Sequence, residues 1–366
     1  MSPRRRPLTR DPTDRAAELH ARAVVLQDAG DPQGARRDCL AALRLFERHA
    51  GRRHPDVANV SLELALAEEA LGDYRAALRR VRRALAILAP LRGAGELRRQ
   101  AFSQLGSLHI ARGEYRQAET CYRRALAIAS RERAPAAVAS ALNGLGMVCK
   151  YLARFAEAKV YYRKALRLTE RAQGRHHPAV ASILHNLGGL EHSRGRFARG
   201  EPFARRSVAI RTQALGPDHP HVAADQAALA AILAGQGQRR EAEPLYRRAI
   251  RVFGKALGRD HWEVGFNLGQ LAALYQADGR LRDAGRLYGQ AMRRLTVALG
   301  PRHPVLAMVM WNAASLERLR RRYARADDLL RRACEIFRAV LGAKHPHTVA
   351  CVADRKQWSR RARSGP

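Results

Sequence analysis

Apolar residues in this chain recur at helical spacing, in two alternating registers separated by a short break. Leu184, Leu187, Gly188 and Leu190 share a face of one segment, and Ala242, Leu245, Tyr246, Ala249 and Ile250 share a face of a segment of the other kind. This spacing predicts amphipathic helices, each of which needs a partner for its apolar stripe. Between the two kinds a turn marker returns at Gly30, Gly72, Gly113, Ala153, Gly195, Gly237, Gly279 and Arg321. An aromatic two residues after glycine, as in Gly72/Tyr74, Gly113/Tyr115 and Gly195/Phe197, predicts a left-handed residue that ends one helix and a ring that anchors the next. Eight markers predict eight helical hairpins.

A longer period overlies the helical one. His177-Pro178, His219-Pro220, His261-Trp262, His303-Pro304 and His345-Pro346 fall every 42 residues. Such a period marks a stacked array, in which neighbouring units bury a continuous core together. We therefore expect one domain. Proline suits the first turn of a helix and glycine the residue just past a helix end, so Gly216 and Pro220 bracket a boundary between units. His54, His177, His219, His261, His303 and His345 stand a whole repeat apart, without the short spacing of zinc ligands. They are expected to be structural, near helix starts, and no metal site is expected.

Small residues recur five positions after the turn marker (Ala35, Ala77, Ala118, Ala158, Gly200, Ala242, Ala284, Ala326) and twelve after it (Ala42, Ala84, Ala125, Ala165, Ser207, Ala249, Ala291, Ala333). They predict where helices approach closely. The array spans residues 13–345. Residues 346–360, with Val349, Val352 and Trp358, read as a lone capping helix, and the basic segments 1–12 and 361–366 as disordered arms.

Tandem hairpins with these turns and these small residues resemble the tetratricopeptide repeat. Its 42-residue form in kinesin light chains and their bacterial relatives is similar to Leu215-Gly216-Pro217-Asp218-His219-Pro220-His221-Val222-Ala223, and again to Leu299-Gly300-Pro301-Arg302-His303-Pro304. The resemblance runs over roughly residues 13 to 350. It implies an all-α fold: a right-handed α-solenoid of eight hairpins plus a C-terminal capping helix. The pattern is broken at Trp262, at Arg321, and in the third and fourth units, which are short and lack His-Pro. No light-chain coiled coil is present, so a motor role is not implied.

Composition agrees with closely packed helices, being rich in Ala and Leu and poor in aromatics. Cys39, Cys121, Cys149, Cys334 and Cys351 lie far apart in apolar stretches, as reduced thiols do. With no signal-peptide core and no stretch apolar enough to span a bilayer, the expectation is a cytoplasmic protein without membrane insertion. The net charge of +34 admits two readings, an anionic partner or the arginine-rich composition of a high-GC genome.

Catalytic chemistry has no foothold. There is no phosphate loop, no His-Glu-x-x-His and no nucleophile motif, so a non-enzymatic protein without cofactor is expected. The resemblance instead implies a concave groove lined by the first helix of each hairpin. Counting back from the turns places there Asn143, Met147, Lys150 and Tyr151, then His185, Asn186 and His192, then Gln270 and Gln276, then Trp311, Asn312 and Arg318. The sixth unit offers mainly Ala227, Ala231 and Ala234. In light chains paired asparagines on this face resemble a clamp for a peptide backbone, since an amide both donates and accepts; here Asn143, Asn186 and Asn312 are single, so peptide binding in the light-chain manner is not implied. First helices of units four to seven carry Lys150 and Arg194 against Glu191, Asp225, Glu263 and Asp278, while second helices carry most of the positive charge. The groove is thus near neutral and the outer surface basic. This favours a polypeptide partner in the groove, acidic if the outer arginines contribute. The competing reading is nonspecific RNA or DNA binding through the arginine-rich convex face and the basic arms. A peptide-sensing regulator would bring an effector domain, for which the N-terminal arm is too short.

Overall fold

A computed structural model describes residues 11–363, with side chains through Gln357. Seventeen helices and no strand occur among these residues: α1 (Pro12–Asp28), α2 (Pro32–His49), α3 (Pro55–Ala70), α4 (Tyr74–Leu88), α5 (Gly95–Ala111), α6 (Tyr115–Arg131), α7 (Pro135–Tyr151), α8 (Phe155–Gln173), α9 (Pro178–Ser193), α10 (Phe197–Leu215), α11 (Pro220–Gly235), α12 (Arg239–Ala256), α13 (Trp262–Ala277), α14 (Leu281–Leu299), α15 (Pro304–Leu319), α16 (Tyr323–Leu341) and α17 (Pro346–Arg363). Consecutive helices pack as hairpins, α1 on α2, α3 on α4, and so for the pairs from α7 to α16, and α17 packs on α16. The helices belong to two compact units, residues 1–108 and 109–366, where the sequence suggests a single stack. The division falls inside α5, in the third repeat, which lacks the His-Pro step.

Each turn is built the same way. Gly237 is left-handed at φ 81°, its N–H bonds to the carbonyl of Ala234 and the next N–H, of Gln238, to that of Leu233. These two bonds satisfy carbonyls that the helix end leaves orphaned. Ala153 and Arg321 hold the same geometry at φ 59° and 60°, with the same pair of backbone bonds, although a Cβ disfavours it.

The boundary histidines cap helices. In His54, His177, His219, His261, His303 and His345 the Nδ1 atom accepts the backbone N–H two residues on, at 3.1–3.3 Å. An imidazole thus does here what Ser, Asp or Asn does at other helix starts, and Nδ1 must be unprotonated to do it.

All sixteen small positions are buried, fourteen of them alanines with no exposed surface. Tyr246, Tyr288 and Tyr162 fill the space beside them and are themselves almost fully enclosed. The five cysteines are free buried thiols, yet Cys334 and Cys351 are neighbours, their sulfurs 2.6 Å apart where α16 meets α17.

The ends differ slightly from expectation. Helix α1 begins at Pro12, capped by the Asp11 carboxylate, and α17 continues to Arg363, since arginines near 360 are good helix formers. Residues 1–10 and 364–366, where basic arms are expected, and the side chain of Trp358 lie outside the described residues.

Two stability outcomes follow. Ala153→Gly and Arg321→Gly each remove a left-handed Cβ and should raise the melting temperature, by a net of about 0.5–1 kcal/mol once glycine's backbone entropy is counted. Ala249→Phe places a ring where no space exists and should lower it by about 1–3 kcal/mol or more. Thermal melts followed by circular dichroism check both, and an unchanged Ala249→Phe melt would refute the close approach.

Candidate functional site

The concave face follows from which helices touch. In the second unit α7 contacts α9, α9 contacts α11, α11 contacts α13 and α13 contacts α15, whereas among the described residues successive second helices α8, α10, α12, α14 and α16 make no comparable contact. Helices that crowd together form the inner layer of a curved stack. The inner surface is therefore made by α7, α9, α11, α13 and α15.

On its first part an amide bridge links successive repeats. Asn186 Nδ2 on α9 donates to Asn143 Oδ1 on α7 at 3.0 Å, and Asn186 is buried. Each amide keeps further capacity, since Asn143 retains its own donors and Asn186 its carbonyl oxygen. Near them Lys150 lies 4.8 Å from the centre of the Tyr151 ring and reaches toward Gly189 on α9. Tyr151 stacks at 5.0 Å on Tyr115. His192 sits edge-on to Phe197, and burial, aided by the Lys150 charge, holds its imidazole below the ordinary value, favouring the neutral ring. Asn143, Lys150, Tyr151, Asn186 and His192 thus occupy neighbouring places on two adjoining repeats.

The remaining residues serve other ends. His185 Nδ1 pairs with Asp225 Oδ1 at 2.7 Å, and the same oxygen accepts from Arg211 at 3.0 Å. Arg211 also donates to Ser182 Oγ at 2.6 Å, which ties α9, α10 and α11 together inside the stack. Gln276 accepts from the Tyr288 hydroxyl at 3.2 Å, within its own hairpin. Trp311 donates its indole N–H to Asp354 at 2.8 Å and meets Phe337 edge-on, so that it fastens α17. Gln270 and Asn312 are half-buried on α13 and α15, and Arg318 is exposed at the end of α15. The residues do not converge on one point. They are spread along the inner surface, with the alanines of α11 between the two polar parts.

Asp225, Arg211 and Asp354 escape a count of groove positions. The one available signal is a carboxylate within the otherwise apolar run of α11, which needs a buried cation. The first unit likewise carries polar inner positions that the count omits: Ser107 donates to Glu69 at 2.5 Å, and burial pushes the carboxyls of Glu69 and Glu63 upward. Several outer arginines are engaged. Arg247 meets Glu243 and the Tyr275 hydroxyl, Arg248 meets Asp218, and Arg206 meets Glu170.

Because Asp225 and Arg211 are almost fully buried, Asp225→Ala should destabilise the protein by about 3–5 kcal/mol by stranding a guanidinium, while Asp225→Leu with Arg211→Met should recover most of that loss. Denaturant titration of the three proteins decides it; equal loss in the single and double variants would contradict the pairing.

Comparison with known proteins agrees with this architecture. The tetratricopeptide repeat model matches residues 14–89, 97–171, 137–199, 179–255 and 265–351. Among solved structures, a Rap protein complexed with Competence and Sporulation Factor has 13% identity and a TM-score of 0.62, over 95% of this chain and 98% of that one. The Rap conjugation gene regulator of the plasmid pLS20, in complex with the Phr* peptide, has 13% identity and a TM-score of 0.64, over 90% and 95%. BtubC (BKLC) from P. vanneervenii has 25% identity and a TM-score of 0.45, over 68% and 94%. No curated protein is significantly similar. Hairpins from end to end, and a repeat model that matches across them, place this chain in the tetratricopeptide repeat family.

Proposed function

We propose that the protein is a non-enzymatic scaffold that holds a segment of a partner polypeptide on the inner surface of residues 109–366. The observation that carries this reading is the Asn143–Asn186 bridge, which sets amide groups with spare donors and acceptors on successive inner helices beside Lys150 and Tyr151. A peptide backbone repeats one donor and one acceptor per residue, so amides placed in series suit it whatever its side chains are. The alanines of α11 offer an adjoining apolar strip for the partner's side chains, and Lys150 favours an acidic residue near the amides.

The Rap structures support the reading by analogy, since their fold is shared and the two named are in complex with Competence and Sporulation Factor and with the Phr* peptide. The array as a whole, residues 13–345 with residues 346–360 as its cap, is taken as one functional scaffold. The outer arginines favour the polypeptide reading over a nucleic-acid one, because those at Arg206, Arg247 and Arg248 already tie neighbouring elements together.

An array of immobilised random peptides, screened with the purified protein, tests the proposal. Asn143→Ala with Asn186→Ala should weaken capture of the selected peptides at least about tenfold, as expected when a buried backbone-binding pair is lost, with helicity retained. Arg247→Glu with Arg248→Glu should leave it within about twofold, because rim charges act mainly on association rate. Capture that survives the first change and disappears with the second would move the site to the convex face.

A further inference from the structure

Two of the capping histidines, His303 and His345, also reach a distant repeat. While Nδ1 of His303 accepts the Val305 N–H, its Nε2–H donates at 2.7 Å to the carbonyl of Ala111, 192 residues away. His345 repeats the arrangement: Nδ1 accepts from His347 and Nε2–H donates at 2.8 Å to the carbonyl of Tyr151, 194 residues away. Both acceptors are last-turn carbonyls, at the ends of α5 and α7. In each case the His-Pro edge of one repeat meets the turn edge of the repeat five places earlier.

Packing accompanies the hydrogen bonds. Leu341, at the end of α16, joins the apolar cluster of Tyr115, Tyr122, Leu145 and Val148. A Cβ built on Gly113 would lie 2.9 Å from Val340 and 3.4 Å from Pro304, whereas at the equivalent Gly195, Gly237 and Gly279 it would meet nothing within 4 Å. Gly113 is thus the one of these turns pressed against another part of the stack. A helical ribbon whose opposite edges meet after one turn is closed along that seam, so the inner surface of the second unit is reached along its axis and not from the side.

We propose that His303 and His345 form a proton-operated clasp that closes this seam and governs lateral access of a polypeptide to the inner surface. The consequence for access rests on the polypeptide reading above; the clasp itself does not. Its chemistry is that of a single tautomer. A neutral ring protonated on Nε2 serves both bonds at once, while a proton added to Nδ1 sets two N–H groups against each other and removes the cap that aims the ring.

Ionisable groups on the meeting segments are Arg302, Lys344 and His347 on one side and His109, Arg112, Glu114, Lys150 and Arg154 on the other, a mostly cationic set that opposes a further positive charge. The rings of His345 and His347 are 5.2 Å apart. Burial lowers the affinity of His303 and of His345 for a proton, and the carbonyl each one meets works the other way. For a histidine depressed in the closed state, closure is fully stable above the ordinary imidazole value of about 6.5 and weakens as pH falls below it toward the native value.

Spin labels at Arg116→Cys and Arg302→Cys, both exposed positions in a protein whose native thiols are buried, report the seam by pulsed dipolar spectroscopy without any ligand. At pH 8 the wild-type background should give one narrow distance that lengthens and broadens at pH 5. His303→Asn with His345→Asn keeps a good capping residue but cannot reach the carbonyls, and should give the broad, long distribution at both pH values. Gly113→Asn, tolerated at positive φ, should open the seam sterically, and Gly237→Asn should not. Should the histidine variant fail to fold by circular dichroism, the Gly113→Asn and Gly237→Asn pair decides. Narrow distances that persist in folded His303→Asn/His345→Asn, or in Gly113→Asn, overturn the clasp, and they do so whether or not peptides bind.

Discussion

Every helix pair in this molecule depends on one constraint: two backbones come close enough only where the side chain between them is nearly absent. Alanine, glycine or serine fills all sixteen such positions, and all are buried. Close approach lets helices as short as 15 to 19 residues bury enough apolar surface to be stable in series, which none would be alone. It also fixes the tilt between neighbours, because a small residue on one helix admits a large one from the next. Tyr122 against Gly144 and Tyr162 against Gly146 are such pairs, each glycine lacking room for even a Cβ. Curvature then follows from repetition, and with curvature comes an inner surface.

The architecture was legible because its determinants are local and repeated. A turn needs one left-handed residue, a boundary needs a cap and a proline, and a contact needs a small side chain at a fixed offset; each leaves a mark at a known distance. Even where the mark changed, at Ala153 and Arg321, the flanking spacing kept the turn in place. Division into two compact units was not legible, since the third repeat is short and lacks His-Pro but the fourth shares both features without a division.

Roles of individual inner residues were harder to read, for a physical reason. Position on a helix says which way a side chain faces but not what it meets one repeat later. Trp311 counts as a groove residue until Asp354 of α17 takes its indole N–H, and His185 until Asp225 takes its ring. Asn143 and Asn186 occupy offsets from their turns that differ by one residue. Their amides nevertheless meet, since side chains from adjoining repeats lean toward each other across the helix contact.

Histidine at the helix start joins the local and the distant levels of this fold. Aspartate, serine or asparagine would satisfy the first free N–H groups as well, and each does so with its only reach spent. Imidazole has a second nitrogen on the far side of a rigid ring, pointing away from the helix it caps. Where curvature brings another repeat's carbonyl opposite, at His303 and His345, the same residue becomes a bridge at no change in sequence. A motif selected for capping each unit thereby supplies the means of closing the whole turn, and it carries into that closure the one side chain whose charge changes near neutral pH.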